Sequence, residues 1–222
     1  MSNADEIPRP LGRALSPTGD PWLLTPGPLT TSPTVKAAMQ HDLGSRDRHF
    51  IAVNKRVRQR LLAVVGGEPS HVCVPLQGSG TFVVEAMIGT FVPMDGKLLV
   101  LVNGAYGKRM ARICAYYGLA HATLETPEDR AIEPQALARH LAADADVTHV
   151  AVVHTETTSG VLNPVEEVAE VAARYDRRLL IDAMSSFGAI PLDATKTAFD
   201  AVVASSNKCL EGVPGLGFCI AR

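Results

Sequence analysis

The chain has 222 residues, of which 46% are hydrophobic and 20% charged, with a formal net charge of −2. That is enough apolar material for one large core. A near-neutral balance, with aromatics at 5% and no basic run among them, argues against nucleic acid or an anionic membrane as the main partner.

The opening MSNADEIPRP is polar and carries acids, unlike a secretory signal. No apolar stretch approaches the roughly 20 residues of a membrane span. Cys73, Cys114, Cys209 and Cys219 form no CxxC pair, so neither a zinc site nor a disulfide framework is expected. A reduced, cytoplasmic protein is the default. Residues 1–30, rich in Pro, Gly, Thr and Ser, read as an extended arm preceding a domain at 31–222.

Ser32-Pro33 is a helix start, with a capping hydroxyl and a proline at the first helical position. A second helix places Phe50, Val53, Val57, Leu61 and Val64 on one face and ends at Gly66-Gly67. Beyond it, short apolar runs (HVCVPLQ, KLLVLVNG, THVAVVHTE, RRLLIDAM, FDAVVASS) alternate with amphipathic stretches such as TFVVEAMIGTFV and NPVEEVAEVAARYD. Continuous rather than alternating apolar strands, separated by helices, predict a mostly parallel sheet covered on both faces, an α/β three-layer αβα arrangement. Only residues 207–215, full of Gly and Pro, separate the run FDAVVASS from the final LGFCIAR. A parallel crossover needs about a dozen residues or more, so the last strand is predicted to run antiparallel.

Ligands of open α/β sheets sit beyond the carboxyl ends of the strands, which directs attention to the polar residues there. After HVCVPLQ come Gly78-Ser79-Gly80-Thr81, opening a helix. Such a helix N-terminus is a ready anion site, although the same residues also make a plain capped turn. Neither GxGxxG nor GxxxxGK[ST] is satisfied, because Val83 breaks the first and no lysine completes the second. Tyr106 follows KLLVLVNG, where it could stack on a flat ring or simply pack. Thr157 lies in the hydroxyl-rich turn after THVAVVHTE; His154 and Glu156 are two metal-type residues without a third nearby, so no metal is expected. Asp182 ends RRLLIDAM, where a carboxylate could cap a helix, bind a metal or pair with a cationic ring nitrogen. Lys208 ends FDAVVASSN. Each residue has an ordinary explanation alone, but one chemistry uses them together. Pyridoxal phosphate needs an anion site, an aromatic face, an acid for its pyridine nitrogen and a lysine for its aldehyde.

The stretches LLTPGPLTTSPTVKAAM, QGSGTFVVEAMIGTF, LVNGAYGKRM, HTETTSGVLNP, IDAMSSFGAIPLD and SSNKCLEGVPGLGF together resemble the 2-aminoethylphosphonate–pyruvate transaminases. These are class-V, fold-type I pyridoxal-phosphate enzymes, and the resemblance runs from about residue 22 to the end, most specifically at GSGTFVVEA and the lysine segment. It implies a seven-stranded-type sheet with one antiparallel strand, a homodimer, and transfer of an amino group from 2-aminoethylphosphonate to pyruvate. It also implies roles. Ser79, Gly80 and Thr81 would hold the phosphate; Tyr106 would stack on one ring face and Met184 pack on the other. Thr157 would hydrogen-bond near the ring oxygen, Asp182 would pair with the ring nitrogen, and Lys208 would hold the cofactor and shuttle protons. Asn207 stands before the lysine where class-V desulfurases commonly show His, which favours a transaminase.

The family continues past the lysine into a smaller C-terminal domain, absent from this chain, that supplies an arginine for the substrate carboxylate. The resemblance therefore implies that residues 31–222 are the cofactor-binding large domain and that they turn over poorly alone. An alanine–glyoxylate or serine–pyruvate transaminase and a non-catalytic fragment that binds pyridoxal phosphate are the alternatives.

Overall fold

The computed structural model describes residues 15–222; residues 1–14 of the expected arm lie outside the described residues. Residues 15–30, expected to be extended, instead turn back on themselves. The Thr30 hydroxyl accepts from Leu23 N and donates to the Pro21 carbonyl, at 2.7 and 2.8 Å. The ammonium of Lys36 then ties the segment down through Asp20 at 2.6 Å.

Helix α1 (Pro33–Ala38) starts as its residues predict, with the Ser32 hydroxyl accepting from Val35 N. Helix α2 (Arg48–Val64) follows. Its expected face is only partly used: Leu61 is buried with Leu62, Phe50, Val53 and Val57 are half-buried, and Val64 is 47% exposed. Only the C-terminal end of the helix meets the core, so the register of burial there follows one contact region and not the whole helical stripe.

The apolar runs become strands β1 (Val72–Gln77), β2 (Lys97–Val102), β3 (Ala120–Glu125) and β4 (Val147–Val153). A two-residue ladder, β5 (Thr155–Glu156) with β6 (Val161–Leu162), stands apart. The sheet is completed by β7 (Arg178–Asp182), β8 (Ala201–Ser205) and β9 (Leu216–Ala221). Between them lie α3 (Gly80–Phe91), α4 (Ala105–Tyr117), α5 (Pro134–Ala143) and α6 (Val165–Arg174). The seven main strands are ordered β1-β9-β8-β7-β4-β2-β3. All neighbouring pairs are parallel except those of β9, which is antiparallel to both β8 and β1.

The reversal of β9 has the predicted cause. Residues 206–212 form a tight turn, with Glu211 N donating to Lys208 O at 2.9 Å and Gly212 N to Ser206 O at 2.7 Å. No helix fits there, so the chain comes straight back along β8. Strand β3 was not legible as an apolar run: AHATLE sits at the sheet edge, pairs only with β2, and is half exposed.

Two cores flank the sheet. Along β2, Leu98, Val100 and Val102 join Val84 and Ile88 of α3 and Met110 of α4, while Leu99 and Leu101 join Leu137 of α5 and Val168 of α6. Because strand side chains alternate in direction, a strand buried on both faces must be apolar throughout. Each such side chain contributes about 1.5–3 kcal/mol on burial. The packing between α3 and β9 is close enough to be testable. A Cβ on Gly217 would lie 2.2 Å from Cγ2 of the buried Val83. Gly217→Ala is expected to lower unfolding stability by about 1–3 kcal/mol, with partial recovery when Val83→Ala is added. Urea unfolding measures both, and an unchanged midpoint in the single variant would contradict the packing.

Candidate functional site

Parallel strands β4, β7 and β8 end at one edge of the sheet, and the turns that follow them border a cavity of about 160 Å3. All nine residues singled out above lie on it: Ser79, Gly80, Thr81, Tyr106, Thr157, Asp182, Met184, Asn207 and Lys208. Four others join them, namely Val84, Arg109, Ser185 and Ser205.

At one end is the N-terminus of α3. The Ser79 hydroxyl accepts from Phe82 N at 3.2 Å and caps the helix while still facing the cavity. Gly80 lets Met184 pack closely, since a Cβ there would lie 2.8 Å from Met184 Sδ. Thr81 Oγ1 accepts from the Arg109 guanidinium at 2.9 Å, and that guanidinium lies 4.7 Å from the centroid of the Tyr106 ring. A favourable cation–π contact thus accompanies the aromatic wall. Arg109 could not be picked out beforehand, because a basic residue within a helix reads as a solvated face.

Asp182 closes β7 and is 3% exposed. One oxygen accepts from Met184 N at 2.9 Å; the other has no hydrogen-bond partner among the described residues. Burial pushes its carboxyl up to about 6, with the Met184 N–H opposing, the Glu156 carboxylate adding, and Arg109 and Lys208 opposing. A buried carboxylate with an unused oxygen on a cavity is the arrangement a protonated ring nitrogen would satisfy.

Lys208 follows β8 on a half-buried turn, and its ammonium donates to Gly27 O at 3.3 Å. A Cβ on Gly27 would lie 2.3 Å from Lys208 Cδ and 2.8 Å from Asn207 O, and its φ is +152°. Only glycine lets the N-terminal segment close over the lysine, a contact absent from the sequence reading. Thr157 Oγ1 hydrogen-bonds Ser185 Oγ at the cavity wall, and Ser185 O accepts from the Cys209 thiol at 3.3 Å. His154 and Glu156 diverge: the imidazole meets Ser186 Oγ at 2.9 Å, while the carboxylate turns to Tyr106 N and Thr158. Among the described residues no group of three or more metal-type side chains converges.

The residues present fit pyridoxal phosphate. A helix N-terminus for an anion, the unused Asp182 oxygen and the Lys208 amine border one cavity, which Tyr106 and Met184 also line.

Comparison with known proteins identifies the family and the fold. A family model described as aminotransferase class-V matches residues 33–222. The chain is 57% identical over 205 residues to a 2-aminoethylphosphonate–pyruvate transaminase of Pseudomonas fluorescens, covering 92% of this chain and 56% of that protein. It is 59% identical over 202 residues to 2-aminoethylphosphonate–pyruvate transaminase 2 of Burkholderia lata, covering 91% and 54%. The chain therefore spans about half the length of these relatives. Among solved structures, alanine–glyoxylate aminotransferase from Nostoc sp. superposes with a TM-score of 0.84 at 29% identity, over 94% of this chain and 56% of that one. Pyridoxamine–pyruvate aminotransferase from Mesorhizobium loti gives 0.81 at 29% identity, over 88% and 50%. The mixed seven-stranded sheet between helical layers is the large domain of fold-type I aminotransferases.

Proposed function

The chain belongs to the class-V aminotransferase family, and on that premise we propose that it is the cofactor-binding domain of a transaminase moving the amino group of 2-aminoethylphosphonate to pyruvate. The products are phosphonoacetaldehyde and L-alanine. Pyridoxal phosphate is the cofactor of this family and fold, and when bound it supplies an electron sink for the carbon that bears the amine. The donor and acceptor are those named for the relatives at 57–59% identity. One observation carries the reading: the under-partnered Asp182 carboxylate and the Lys208 amine border the same cavity.

The proposed work of each residue follows from its place. Ser79, Gly80 and Thr81 receive the phosphate at the positive end of α3. Tyr106 and Met184 enclose the ring from either face, and Thr157, held by Ser185, orients its hydroxyl toward the ring oxygen. Asp182 pairs with the ring nitrogen and keeps it protonated. Asn207 shapes the wall before the lysine. Lys208 Nζ holds the cofactor at its aldehyde and later carries the proton taken from the amine-bearing carbon.

Homodimerisation belongs to the same proposal. Trp22 (51% exposed), Leu24 (95%), Met39 (62%) and Ile51 (55%), from the N-terminal segment, the C-cap of α1 and helix α2, offer apolar surface that a second copy would cover. A cytoplasmic site of action is part of the same proposal; separately, no helix among the described residues is long and apolar enough to cross a membrane.

The test is an amine assay. With pyridoxal phosphate, 2-aminoethylphosphonate and pyruvate, the domain within a full-length protein is expected to release alanine and consume the phosphonate amine in equal amounts, and the 222 residues alone to do so poorly. Glycine formed from alanine and glyoxylate, with 2-aminoethylphosphonate left untouched, would favour the activity named for the Nostoc structure. Cofactor binding without either product would leave a binding domain.

A further inference from the structure

Helix α4 carries Tyr106 in its first turn, and its N-cap residue is Gly104, which has no side chain to accept a hydrogen bond. The conformation of Gly104 does not require glycine, since φ 170° and ψ −167° are extended values open to any residue. What excludes a side chain is Glu156: a Cβ on Gly104 would lie 2.3 Å from Glu156 Cγ and 2.4 Å from Cδ. Glu156 is fully buried, at 0% exposure. Its Oε2 accepts from Tyr106 N at 3.2 Å, a contact spanning 50 positions of sequence. Its Oε1 accepts from the Thr158 hydroxyl at 2.7 Å and from Thr158 N at 3.3 Å. Tyr106 is the second helical residue, the N–H that a local Ser or Asp cap would normally take.

We propose that Glu156 is a positioning residue, a long-range N-cap that occupies the space left by Gly104 and fixes Tyr106 and the 157–158 turn relative to one another at the cavity. The consequence for function rests on the reading of Tyr106 as the wall of a pyridoxal-phosphate site. With Ser, Thr or Asp at the N-cap, helix and cap would be one local unit. Here the cap comes from the end of β5, so the aromatic wall and the backbone of the 157–158 turn are tied to a single carboxylate.

The experiment combines loss with relocation of the cap. Glu156→Met preserves bulk but offers no acceptor. It is expected to raise hydrogen exchange at the Tyr106 amide, and to weaken binding of pyridoxal phosphate, each by roughly tenfold, the scale of a lost cap. Glu156→Ala should do the same, and Gly104→Asp alone should also weaken binding because its side chain collides with Glu156. Glu156→Ala combined with Gly104→Asp places a local cap in the vacated space and should return Tyr106 protection and affinity to within a few-fold of the parent protein.

If the double variant is no better than Glu156→Ala in both measurements, or if Glu156→Met leaves Tyr106 exchange unchanged, the proposal is overturned. Recovery of exchange protection in a protein that never binds pyridoxal phosphate would uphold the cap and refute the cofactor reading. Tight binding in the parent protein without rescue would do the reverse.

Discussion

Asp182→Asn is expected to change stability and activity in opposite directions. In the cofactor-free protein the folded-state carboxyl sits at about 6 against an ordinary value of 3.8, chiefly because burial disfavours its charge. The folded state therefore holds the proton more tightly than the unfolded state does. Stability from this group is fully present below about pH 4 and is lost as pH rises through 6, a loss on the order of 3 kcal/mol. Asparagine retains an oxygen for the Met184 N–H and carries no charge, so the variant should escape that loss. Unfolding of both proteins at pH 4 and pH 8 measures it. The variant's advantage should grow with pH, and a pH-independent difference would contradict the burial argument.

With cofactor the sign reverses. An amide cannot hold the ring nitrogen in its protonated form, so the single-turnover reaction with 2-aminoethylphosphonate should fall by about 10²–10³-fold, the scale of losing one preorganised electrostatic partner. An unchanged rate would make Asp182 a structural cap for Met184 and nothing more.

Lys208→Ala should have the largest functional effect, with no covalent capture and turnover reduced by about 10³-fold or more. Borohydride treatment of the unmodified protein with pyridoxal phosphate is expected to fix the cofactor on the peptide containing Lys208. Lys108 is the informative control. It also comes shortly after a strand end, within the first turn of α4, but it is exposed and paired with Glu128 at 2.8 Å. A reduced adduct mapped to Lys108 would overturn the assignment. Fold damage in Lys208→Ala is expected to be small, because the ammonium's hydrogen bond is to Gly27 O of the N-terminal segment.

The layers, the parallel strands and the reversal of β9 are legible in the residue pattern. These follow from local features: continuous apolar runs mark strands covered on both faces, and a Gly-Pro link too short for a helix forces the antiparallel return. The nine candidate residues on the cavity were marked there too, seven through their place at or just beyond strand ends and the rest through family resemblance; the variants above test their roles. Edge strand β3 escaped because a half-exposed strand needs no apolar run. The stripe of α2 was misjudged at Val64 because periodicity reports which residues share a face, and not how much of that face finds a partner. Contacts between distant segments emerge only in the folded chain: Arg109 against Thr81 and Tyr106, Gly27 over Lys208, and Glu156 in the place of a Gly104 side chain. A glycine and a carboxylate are each unremarkable in sequence. Their dependence on one another is a steric fact, and it exists only once the fold brings a Cβ position within 2.3 Å of another side chain.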